Sequence, residues 1–120
     1  MIAIYAFPVV WAGIVLGGIA GCVATATVVQ AMGAGPFSAV AGNIYKYVWS
    51  VIFAIPMPFL LASGGLGGII LAFLWLDLAP TVASKAYFGP KDAPWQKLMT
   101  FHAGYGVAAL VVYLIVVQMA

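Results

Sequence analysis

Long uncharged stretches alternate with short polar interruptions along this chain, and their lengths predict helices that cross a membrane. No charged residue occurs between Met1 and Asn43. A hydrocarbon core of about 30 Å needs about 20 helical residues, so a first segment over 5–31 spans with length to spare. It ends at Met32-Gly33-Ala34-Gly35-Pro36, where two glycines and a proline interrupt any helix. A second uncharged stretch, Tyr47 to Leu76, would make a helix of about 45 Å at about 1.5 Å per residue, too long for one ordinary crossing. Its middle holds Pro56-Met57-Pro58 and then Ser63-Gly64-Gly65-Leu66-Gly67-Gly68, which suit a turn better than a continuous helix. The pattern therefore predicts a tight hairpin: a helix over 44–62, kinked by the prolines, and a return helix over 66–79. A polar loop over 80–96 leads to a last helix over 97–119. The expected fold is an all-α integral membrane protein, one transmembrane domain built as a small bundle of about four segments. Three spans, or a re-entrant hairpin in place of the central pair, are the alternatives.

Composition agrees with that pattern. Of the 120 residues 67% are hydrophobic and 5% charged, with a mean hydropathy of +1.21. Soluble domains carry roughly 25% charged residues, so this chain could not cover a soluble globule. The cations are Lys46, Lys85, Lys91 and Lys97, the anions Asp77 and Asp92, and there is no Arg or Glu. Four scattered lysines make no phosphate-binding patch, which argues against a nucleic-acid partner. They do constrain topology: with four spans every lysine falls on one side, whereas with three they fall on opposite sides. The positive-inside tendency favours four and puts the lysine-bearing loops on the cytoplasmic side of an inner or energy-transducing membrane. A re-entrant pair satisfies the same count. Met1 opens onto hydrophobic residues without a basic stretch, so a cleaved secretory leader is not expected, although Ala31-Met32-Gly33 loosely resembles a cleavage site. Tyr5, Trp11, Tyr45, Tyr47, Trp49, Trp75, Trp95 and Phe101 fall at segment ends, as interfacial anchors do. Cys22, the sole cysteine, sits in an apolar run and reads as a small hydrophobe.

The strongest packing signal is the glycine stripe Gly13, Gly17 and Gly21, one residue per turn on one helix face and extended by Thr25. In lipid such a stripe lets another helix backbone come close. The contact lies either within the chain or with another subunit, and Gly104 and Ala108 give the last helix a second small pair. Catalytic signals are missing: no paired carboxylates within a span, no metal-ligand spacing and no phosphate loop. The single histidine, His102, is the candidate for cofactor binding, since a neutral imidazole near the start of the last helix could hold a haem or chlorophyll-type macrocycle, with Gly106 leaving room for a flat ring. The plainer role is an interfacial hydrogen bond. Asp77, at the end of its apolar run, is expected to form a structural ion pair with Lys46; a transport carboxylate is the alternative. Gly89-Pro90-Lys91-Asp92-Ala93-Pro94 suggests an ordered turn suited to docking.

These readings lead to a small non-catalytic accessory subunit of a larger membrane complex, with a respiratory or photosynthetic energy-transducing assembly as a natural setting. Other integral membrane subunits and lipids are the expected partners. Two alternatives stay open: a small oligomeric transporter or channel, and a haem- or chlorophyll-carrying subunit that uses His102.

Overall fold

In the computed structural model, residues 2–88 and 92–119 are described. The first half of the expected turn, Gly89, Pro90 and Lys91, lies outside the described residues. The elements among the described residues are helical throughout. A 3-10 turn, Ile2–Ala6, leads into α1 (Pro8–Ala31), followed by α2 (Phe37–Ala41), α3 (Ile44–Ala54), α4 (Met57–Leu61) and α5 (Gly65–Ala83). A π-helical turn, Ser84–Phe88, prolongs α5, and α6 (Trp95–Met119) ends the fold. Four segments are long and apolar enough to cross a membrane: Pro8–Ala31, Ile44–Leu61, Gly65–Tyr87 and Trp95–Met119. The protein is an all-α, multi-pass membrane bundle.

Local chemistry sets the helix ends. Pro8 occupies the first turn of α1, where its missing N–H costs no hydrogen bond. Beyond α1, Gly33 takes φ 69° while its N–H and that of Ala34 close on the Gln30 and Val29 carbonyls. Asn43 caps α3 by accepting the Tyr45 N–H at 3.0 Å. The break between α3 and α4 falls at Ile55-Pro56, as the proline pair predicts. It frees carbonyls that lipid cannot satisfy. The Trp75 indole donates to the Phe53 carbonyl at 2.7 Å and the Tyr5 hydroxyl to the Ile55 carbonyl at 2.6 Å. Trp75 is thus an internal tie in the third segment, not the interfacial anchor expected.

The largest departure concerns the third segment, expected to stop at 79. It runs through Pro80 to Ala83 and on into the π-helical turn, so most of the predicted polar loop is helix, and α6 begins at Trp95 rather than 97. Without water to solvate free peptide groups, a helix in lipid closes around a proline where a soluble one would stop. The Thr81 hydroxyl contributes by donating to the Asp77 carbonyl at 2.8 Å.

α1 and α6 form the most extensive contact, an antiparallel pair, with α5 against α6 and α3 against α1. The glycine stripe lies in that central seam. A Cβ at Gly17 would stand 2.9 Å from the Ala109 carbonyl oxygen and one at Gly13 2.7 Å from the Tyr113 ring, while one at Gly21 would overlap the Tyr105 ring. Gly104 returns the contact against Val28 of α1. Ala108 is half-buried. The stripe is therefore used within the chain. Gly18, on another face of α1, meets the α3 backbone, where a Cβ would come within 3.0 Å of Val51. Ile14, Met57, Leu76, Leu110 and Tyr113 fill the centre of the bundle. Lys46, Lys85 and Lys97 gather at one end, where Lys85 Nζ donates to the Ala93 carbonyl at 2.6 Å and lies 5.0 Å from the Trp95 ring centre.

A candidate ligand cavity at the lysine end

Polar side chains that are scattered in sequence converge at this end. On α3, Lys46 and Ser50 stand four residues apart and share a face; on α1, Cys22 and Thr25 do the same at a spacing of three. With Ser84 beyond α5, and His102 and Tyr105 on α6, they line a cavity of about 240 Å³. Apolar residues complete the walls, and the connection between the first two segments contributes Gly35 and Val40.

Several of these groups are already committed. Thr25 donates to the Gly21 carbonyl at 2.9 Å, Ser50 to the Lys46 carbonyl at 2.7 Å, and the Tyr105 hydroxyl to the Ser50 carbonyl. The last of these ties α6 to α3, and all three hydroxyls are left as acceptors. Three groups are not committed. Lys46 Nζ and Ser84 Oγ have no hydrogen-bond partner among the described residues. The third is one nitrogen of His102.

His102 is buried, and its Nδ1 lies 2.8 Å from Thr81 Oγ1. A hydroxyl has one proton. With the Thr81 proton on the Asp77 carbonyl, Nδ1 is the donor to Thr81 and carries the ring proton. Nε2 is left with a lone pair in a ring that lines the cavity. Lys46 is near enough to act electrostatically on His102. Among the described residues, no Asp or Glu lines the cavity.

The cavity by itself offers a macrocycle little room. Pockets for drug-sized ligands run from about 300 to 1,000 Å³, and the cavity without its bordering surface holds about 240 Å³. The space expected at Gly106 is taken as well: a Cβ there would meet the Phe73 ring at 3.0 Å and Leu76 Cβ at 3.5 Å. Gly106 serves helix packing.

The Lys46–Asp77 ion pair is not formed. Trp49 stacks on Tyr87 with ring centroids 6.5 Å apart, which sets the start of α3 level with the end of the third segment. Asp77 lies ten residues before Tyr87, about 15 Å along a helix that rises about 1.5 Å per residue. Since the segment continues past Pro80, Asp77 falls near its midpoint, not at its end. It is buried against the bundle, and its Oδ1 has no hydrogen-bond partner among the described residues.

Beside the cavity, on the lateral face between α3 and α5, is an open apolar groove of about 570 Å³. Trp49 and Phe53 line both spaces. Sequence reading missed Thr81, Ser84, Ser50 and Tyr105. The three- and four-residue spacings that pair polar groups on α1, α3 and beyond α5 were the available signal. Among protein-family models, curated proteins and solved structures, none matches the chain.

Proposed function

We propose that the chain is a small non-catalytic accessory subunit of a larger membrane complex, with its lysine-bearing end on the cytoplasmic side. The filled core carries this reading. Ile14, Met57, Leu76, Leu110 and Tyr113 close the bundle below the cavity, an arrangement that suits a support better than a conduit. Short connections join the four segments, so the chain's work is done within the bilayer, against lipids and other integral subunits. A respiratory or photosynthetic energy-transducing assembly is a setting in keeping with such a subunit.

The test is purification of the tagged full chain from its native membrane in mild detergent, with mass spectrometry of co-purifying proteins and a visible spectrum of the same sample. Stoichiometric integral partners are expected. A colourless homo-oligomer without partners would overturn the proposal.

One observation favours a second reading. Asp77 is a mid-span carboxyl group with an unpartnered oxygen, and ionisable groups at that depth mark ion or proton pathways in many membrane proteins. Under this reading, Asp77→Asn abolishes flux into vesicles and leaves assembly intact.

A further inference from the structure

The cavity at the lysine end combines three properties: a polar wall with unused donors, no acidic lining, and a shared border with an apolar groove. The polar wall comes from three segments. Lys46 Nζ and Ser84 Oγ offer donors, and His102 offers Nε2, oriented through Nδ1 by Thr81. A hydrogen bond to one ring nitrogen fixes a histidine for a ligand on the other.

The lining selects the ligand. Lys46 has no counter-ion among the described residues, so the fitting group is an anion. With no carboxylate in the walls among the described residues, nothing there balances the ammonium of a zwitterionic headgroup. A tetrahedral phosphate presents oxygens in several directions, as a site lined from three segments asks. Its second ionisation lies near pH 6, so it shares a proton with Nε2 in a charge-assisted hydrogen bond. Lys46 also stands at the start of its span, the depth at which headgroups sit, and basic pockets between transmembrane helices recognise them.

The groove decides between a free ion and a lipid. Trp49 and Phe53 wall both spaces, and from them the groove follows Ile52, Trp75, Leu78 and Val82 along the lateral face. A chain attached to a phosphate in the cavity would lie directly against this surface. We infer that the two spaces together hold one lipid with a compact phosphate monoester headgroup: the phosphate rests against Lys46, Ser84 and His102, and one acyl chain lies in the groove.

Native mass spectrometry of the delipidated full chain, titrated with dioleoyl phosphatidic acid or dioleoyl phosphatidylcholine, tests this inference. One phosphatidic acid should bind at least tenfold tighter than phosphatidylcholine. Lys46→Gln, which removes the ammonium, and Leu78→Trp, which fills the groove, should each weaken binding at least tenfold while circular dichroism retains the helical signal. Ser84→Ala provides a smaller change should Lys46→Gln fail to fold, and should weaken binding several-fold. Equal binding of the two lipids overturns the inference, as does undiminished binding by a folded Lys46→Gln or Ser84→Ala chain. A third arm adds inorganic phosphate alone: if it stabilises the protein to heat as much as phosphatidic acid does, the site takes the free ion and the lipid assignment fails.

Discussion

At the scale of single residues, the glycines differ sharply in what a methyl group would meet. Gly17→Ala sets a Cβ 2.9 Å from the Ala109 carbonyl oxygen, so the seam must part; overpacking of this kind costs about 1–3 kcal/mol. Gly67→Ala meets nothing within 4 Å inside α5 and should stabilise the helix by about 0.5–1 kcal/mol. Unfolding of both variants in mixed micelles separates the two effects, and equal outcomes would contradict the seam. The tautomer of His102 can be measured as well. Nitrogen-15 shifts should show Nδ1 protonated and Nε2 bare, and Thr81→Val should remove that preference along with about 1 kcal/mol of stability. The small-residue face of α1 could be read from Gly13, Gly17 and Gly21. Its partner could not, because a stripe gives the face and not the neighbour. The Lys46–Asp77 assignment failed for another reason: it assumed that a helix stops at proline, and the continued helix put about 15 Å between the two levels.

Among the elements, the central pair of helices shows how a broken segment remains tolerable in lipid. The Ile55-Pro56 break leaves carbonyls that Trp75 and Tyr5 satisfy from other parts of the fold. The turn that follows depends on Gly64, at φ 88° and ψ 154°, a region open to few residues other than glycine. Gly64→Ala should cost about 1–3 kcal/mol although no neighbour lies within 4 Å; a loss below about 0.5 kcal/mol in the same unfolding assay would show that the turn relaxes. Hydrophobic run lengths located all four segments, and the Pro and Gly clusters located both the break and the turn. The end of the third segment was illegible because the signals for stopping a helix were learned in water. The cavity was half legible: spacing reveals the polar pairs on α1 and α3, but only the packing of α1, α3, α5 and α6 brings them to one place.

For the molecule as a whole, an even number of spans gives a simple test of orientation. Cys22 is buried and poorly placed to react, so a cysteine introduced elsewhere reports its own site. In sealed vesicles, Ser63→Cys and Lys97→Cys should be labelled by a membrane-impermeant maleimide from opposite sides, with Lys97→Cys on the cytoplasmic side. Labelling from one side alone would contradict four crossings. The main seam also joins the first long helix to the last, and this imposes an order on synthesis. While the middle of the chain is being made, the bare face of α1 has no mate, and the polar groups around Lys46 have no floor from α6 beneath them. Completion comes only when the final helix enters the bilayer. Until then the nascent protein exposes a glycine-lined surface to any passing helix, so insertion machinery that shields α1 during elongation, and releases it at the end, should raise the yield of correctly assembled chain.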